Sequence, residues 1–209
     1  MITDRVSFGA KPINSVKIKK YNKSTKNFAD YPVNFVRLNA DCRNDLVAID
    51  LAAQKWKGAT YIQKIATASK WMKNGQIEVY ALTSQQKNFD KLQANNILGL
   101  AEMRFDEKNP KNMILNHLQV RPNAMNVNQL NKTNYKYIGS SILTSLKKIY
   151  KHISLSTDGN ENVERFYKHN GFIDEYKGSG DFRWSKNPIK RLLYRITKFG
   201  LETGLWLFV

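Results

Sequence analysis

Cysteine is almost absent from the chain: Cys42 is the only one in 209 residues. That excludes an internal disulfide framework and any zinc site built on several cysteines, and it fits a reducing, cytoplasmic setting. Histidine is nearly as scarce. His117, His152 and His169 are scattered, no His/Asp/Glu group has ligand spacing, and no metal is expected. Long apolar runs are missing as well. No stretch approaches the roughly 20 apolar residues of a membrane span. Residues 1–12 carry Asp4, Arg5 and Lys11 where a secretory signal would be apolar. Acidic residues are half as frequent as basic ones, 17 against 34, which leaves a formal net charge of +17. A field of that sign favours anionic partners such as RNA, an acidic protein, an acidic membrane face or a phosphorylated cofactor. The lysines are spread rather than blocked, so the same charge also reads as a solvated surface.

What is present is a foldable chain. Hydrophobic residues make up 42% of it, enough for one full domain with a core. Residues 1–32 read as a basic, weakly patterned N-terminal extension with a short strand at Val16–Ile18. Residues 33–186 read as the main domain. Val33–Leu38 alternates apolar and polar residues as a strand does. Asp41 stands where it could cap a helix through Leu46, Ile49, Ala52 and Trp56, ended by Gly58. A second helix opens at Thr60 and closes at Asn74-Gly75. Ile77–Leu82 is a strand and Gln85–Asn96 a polar loop. Two strongly apolar strands follow, Ile97–Phe105 and Met113–Val120, the second stopped by Pro122. After a polar insert over 123–134 come a helix from near Gly139, a strand at Ile153–Ser156, and a helix from Glu161 to His169 ended by Asn170-Gly171. A hairpin of Phe172–Tyr176 and Asp181–Trp184 closes the domain. This order predicts an α/β fold, a mixed sheet with flanking helices.

Residues 187–209 read as a basic amphipathic helix and tail. Asn187-Pro188 is a cap followed by proline at the first helical position. Ile189, Leu192, Leu193, Ile196 and Phe199 recur at helical spacing, with Lys190, Arg191, Arg195 and Lys198 on the other side. The helix either docks on the domain through its apolar face or contacts an anionic membrane surface, a partner chain or nucleic acid.

An apolar strand, a loop and a helix opening Gly139-Ser140-Ser141 form a physical anion site. First-turn N–H groups lack internal partners, and the helix dipole favours negative charge there. One strand later comes Asn160-Glu-Asn-Val-Glu-Arg-Phe-Tyr-Lys-His-Asn-Gly-Phe172. Together with Tyr137-Ile-Gly-Ser-Ser-Ile-Leu143 and Val120-Arg-Pro122, this segment resembles the GNAT superfamily of N-acetyltransferases, which are acyl-CoA-dependent. The resemblance is specific over 97–172 and loose from 33. It implies a GNAT-like mixed central sheet with flanking helices and a splayed central strand pair. The family loop carries Arg or Gln, two residues, Gly, one residue, then Gly or Ala. Here Asn134 and Tyr137 replace the first two of these, Gly139 is kept, and about ten extra polar residues precede the loop.

The resemblance implies acetyl-CoA as cofactor. Its pyrophosphate would be held by the loop Asn134, Tyr135, Lys136, Tyr137, Ile138, Gly139, Ser140 and Ser141, and its pantetheine arm by Leu118, Gln119 and Val120. Asn160 would touch the arm, or serve only as a helix cap. Tyr167 matches the tyrosine that protonates the leaving thiolate, and it also reads as an aromatic packing residue. For the base, His117 suits neutral-pH proton transfer, and Glu102 is a carboxylate in an apolar strand. Each also has a purely structural reading. The implied reaction is direct transfer of acetyl to a primary amine, on a protein, a small molecule or an aminoacyl-tRNA. The alternative is a catalytically weak module that binds coenzyme A or nucleic acid, as monomer or dimer.

Overall fold

The structure is a computed structural model that describes residues 9–56, 59–109, 111–122, 134–175 and 179–203, with side chains described as far as residue 198. Gly58, the insert at 123–133 and the segment 204–209 lie outside the described residues. Nine strands form one mixed sheet in the order β6-β1-β2-β3-β4-β5-β7-β9-β8, accompanied by five α-helices. The chain divides into two compact units, residues 1–103 with 117–145, and residues 104–116 with 146–209.

In the first unit, β1 (Lys11–Asn22) and β2 (Asn27–Arg37) form a long antiparallel hairpin, and β2 pairs antiparallel with β3 (Ile77–Thr83). Strand β1 is four times the length expected at Val16–Ile18 and starts well inside the segment read as an extension. Only Ile18 of its twelve residues is fully buried, so it offers little apolar alternation to read. Helices α1 (Arg43–Lys55) and α2 (Ile62–Ser69) pack together over this sheet. Ile49, Ile65, Val79, Ile97 and Leu100 form the core beneath them. Asp41 does not cap α1. The cap position is Cys42, without a side-chain bond, and Asp45 reaches back instead to accept the Asn39 N–H at 2.8 Å. Asp45 is fully buried, and burial pushes its carboxyl up to about 6 against the opposing Asn39 hydrogen bond. Strands β4 (Ile97–Phe105) and β5 (Met113–Val120) fall where the apolar runs put them.

In the second unit, β5 pairs in parallel with β7 (His152–Ser156) at Met113↔Ile153 and Ile114↔Ser154. Strand β7 pairs antiparallel with β9 (Asp181–Ser185), which also holds β8 (Ile173–Asp174). Helix α4 (Glu161–His169) ends at Gly171, whose φ of 76° is the left-handed conformation glycine adopts without penalty. Helix α5 (Pro188–Thr203) packs on β8 and β9. Asn187 caps it by accepting the Ile189 N–H at 2.9 Å, and Lys198 bonds the buried carboxylate of Asp174. Burial is the largest influence on that carboxyl and pushes it up, but Lys198 and Lys168 together hold it below the ordinary value.

Candidate active site

The turn into α3 (Ile138–Ile149) is built on an edge strand. Tyr135 and Lys136 form β6, paired with Lys20 and Lys19 of β1, and the Asn134 carbonyl accepts the Tyr21 N–H at 2.9 Å. That pairing fixes the direction from which the chain enters the helix. Tyr137 then takes φ 69°, one of three non-glycine residues with positive φ among those described. Its carbonyl accepts the Ser141 N–H at 2.9 Å, the first bond of the helix. The N–H groups of Ile138, Gly139 and Ser140 therefore have no partner one turn back within α3. Ile138 and Ser141 are buried, while the Tyr137 ring is 62% exposed. The chain thus takes a left-handed turn into α3 although the residue is tyrosine and not glycine.

Gly99 explains how the start of α3 lies so close to the sheet. A Cβ there would sit 2.8 Å from Ile142 Cδ1, 3.0 Å from Ile138 Cγ2 and 3.3 Å from the Gln119 carbonyl oxygen. A larger residue at this point of β4 would force the Ile142 and Ile138 side chains at the start of α3 to shift.

On β4 and β5 the two candidate bases meet. His117 Nδ1 lies 2.8 Å from Glu102 Oε2. The glutamate is fully buried and the imidazole 14% exposed. A carboxylate that accepts from Nδ1–H holds the imidazole in one orientation and favours the tautomer with its proton on Nδ1. Read separately in the sequence, each residue had a structural alternative; the structure shows them meeting as one hydrogen-bonded pair.

Tyr61 is a neighbour of this pair that sequence patterning does not single out. Its ring lies 5.2 Å from that of His117, with Lys64 Nζ 5.5 Å from the Tyr61 ring. Gln119 Oε1 accepts the Tyr61 N–H at 3.2 Å. Gln119 Nε2 also donates to the Val120 carbonyl at 2.9 Å, and the Arg121 N–H donates to the Leu98 carbonyl at 2.9 Å. At the end of β5, expected to present backbone groups to a cofactor arm, the Val120 carbonyl is thus engaged by the Gln119 side chain and the following Arg121 N–H by the β4 backbone. Tyr61 precedes α2 at a position no periodicity singles out.

Tyr167 and Asn160 belong to the second unit. Asn160 caps α4, accepting the N–H groups of Asn162 at 3.0 Å and Val163 at 3.4 Å. The cap uses the amide oxygen and not the amide nitrogen, so capping leaves room for a second role. Tyr167 is buried, with its ring centroid 5.2 Å from Phe166, 5.7 Å from Phe172 and 6.1 Å from Phe182. The packing expected of it is therefore real. Among the described residues there is no group of three metal-binding side chains.

The strand order and the helix-opening turn define a class, the GNAT acetyltransferase fold. Three solved structures carry that likeness. One is AtaTR bound with acetyl-CoA, 17% identical, with a TM-score of 0.52 over 77% of this chain and 98% of the other. The second is AtaT complexed with acetyl-methionyl-tRNAfMet, 14% identical, with a TM-score of 0.51 over 77% of this chain and 99% of the other. The third is an acetyltransferase candidate from Exiguobacterium sp. 255-15, 14% identical, with a TM-score of 0.50 over 77% and 96%. No family model and no curated relative matches the sequence.

Proposed function

We propose that the chain is an N-acetyltransferase that moves an acetyl group from acetyl-CoA to a primary amine by direct attack. The observation that carries this reading is the left-handed turn at Tyr137, followed by a first helical turn whose N–H groups have no partner within the helix. Acetyl-CoA supplies the thioester that is attacked and a pyrophosphate for those amides. His117, held at Nδ1 by Glu102, takes the amine proton on Nε2 as nitrogen bonds to the acetyl carbon. As the carbon–sulfur bond breaks, Tyr167 gives its phenolic proton to the departing thiolate, the role the resemblance assigns to it. The net charge of +17 favours an acceptor amine carried on an anionic molecule, a description that the aminoacyl group of a tRNA meets.

Melting curves with acetyl-CoA and with free coenzyme A test the reading. A ligand at 100 times its dissociation constant stabilises by about 2.7 kcal/mol, and no shift with either compound would refute it. Turnover is then measured across aminoacyl-tRNAs, proteins and small amines. Tyr167→Phe should keep the shift and lower turnover; unchanged turnover would remove Tyr167 from the mechanism. A second reading, a module that binds coenzyme A or nucleic acid without efficient turnover, is favoured by the burial of Tyr167 among three phenylalanines. A shift without transfer to any amine would establish it.

A further inference from the structure

Helix α5 faces the opposite way from an ordinary docked amphipathic helix. At about 100° per residue, Arg191, Tyr194 and Lys198 share one side. Those three are the partly buried residues among the described side chains of the helix, and Lys198 is pinned to Asp174. The apolar residues lie on the side away from the domain. Ile189 is 66% exposed, Leu192 56%, Leu193 53% and Ile196 42%. Their spacing of three, four and seven residues makes one continuous stripe along two turns. Lys190 and Arg195, both exposed, stand roughly 110° to either side of its midline.

We propose that α5 is a membrane-surface helix, which lays the Ile189, Leu192, Leu193 and Ile196 stripe into the interface of an anionic lipid bilayer. An apolar stripe edged on both sides by exposed cations is the pattern of a helix lying in that plane, its lysine and arginine stems reaching up to the headgroups. Charge decides between the possible occupants. Residues 186–198 carry Lys186, Lys190, Arg191, Arg195 and Lys198 and no acidic residue. A two-fold contact with a second copy would set the same cations against one another, whereas an anionic surface neutralises them. Nucleic acid would take the charge and leave the stripe in water. This inference does not depend on the acetyl-transfer reading.

The test is flotation of the full chain with vesicles of phosphatidylglycerol and with vesicles of phosphatidylcholine, at two salt concentrations. The protein is expected to float with the anionic vesicles only, less so at high salt. Leu192→Ser with Leu193→Ser removes half the stripe without touching charge. It should lower the partition by about tenfold or more while leaving the melting temperature in place, because both side chains are exposed. Flotation of that variant equal to the parent would overturn the proposal, since the +17 charge alone would then account for binding. Absence of flotation by the parent would overturn it too. A parent dimer that the double substitution converts to monomer, with no flotation, would assign the stripe to a second copy instead.

Discussion

Tyr137 offers the sharpest test of how the helix-opening turn is built. A non-glycine residue at φ 69° brings its Cβ against the following carbonyl, at a cost of about 1–2 kcal/mol. Tyr137→Gly and Tyr137→Ala remove the same ring, which is 62% exposed and buries little. They differ in backbone alone: alanine keeps the strain, while glycine relieves it but loses about 0.5–1 kcal/mol to the greater freedom of its unfolded chain. Glycine should therefore be the more stable of the two, by about 0.75 kcal/mol at the middle of those ranges and about 1.5 kcal/mol at most. For a chain of this size the middle value is a difference of about 1–4 °C in Tm, within reach of differential scanning fluorimetry. The glycine variant should also keep the full stabilisation by acetyl-CoA, because the amides of Ile138, Gly139 and Ser140 stay where they are. An alanine variant melting at or above the glycine variant would refute the reasoning, as the left-handed turn would then not be the conformation in solution.

Gly99→Ala should destabilise the fold by about 1–3 kcal/mol in chemical denaturation, the usual range for overpacking. It should also weaken acetyl-CoA stabilisation, because the added carbon pushes on Ile138 and Ile142 at the start of α3. His117→Gln should lower kcat by about 10²–10⁴, the usual worth of a positioned base, with KM for acetyl-CoA little changed in steady-state assays. Asp45 gives a pH signature. Its folded carboxyl is raised from 3.8 to about 6, so its contribution is fully present below pH 3.8 and is lost as pH rises toward 6. At 1.36 kcal/mol per unit the loss is at most ~3 kcal/mol. Asp45→Asn should remove that fall and be the more stable protein at pH 7–8 in urea titrations. A parallel pH dependence for parent and variant would count against it.

Sequence reasoning reached the central elements because their residues are of one kind. Ile97–Phe105 and Met113–Val120 are apolar throughout most of their length and bounded by turn residues, and the strands end where those runs end. The α4 helix was equally legible, because Asn160 and Gly171 are residues whose cap geometry their chemistry favours. Strand β1 was not. Its lysines stand beside tyrosine, valine and isoleucine with a single fully buried side chain, so no alternation marks a core face. The dyad was hidden for a different reason. Glu102 and His117 lie 15 residues apart on different strands, and whether two such residues meet depends on strand register. A slip of one residue would send the histidine to the other face.

Helix α5 marks the limit of periodicity as a source of information. An apolar repeat at 3.6 residues states that a helix has two unlike faces, but says nothing about which face the domain holds. Here the domain holds the polar one, because Asp174 on β8 supplies a buried carboxylate that Lys198 neutralises. A buried carboxylate without its cation costs more than an exposed leucine. Lys168 also pairs with Asp174, so Lys198 brings the second cation; with Lys198 toward the sheet, the stripe half a turn away faces outward. Asp174→Asn removes the charge that selects this orientation. It should leave β8 and β9 paired while lowering the protection of α5 amides in hydrogen exchange. Unchanged protection would mean that Tyr194 and Arg191 orient the helix without the ion pair.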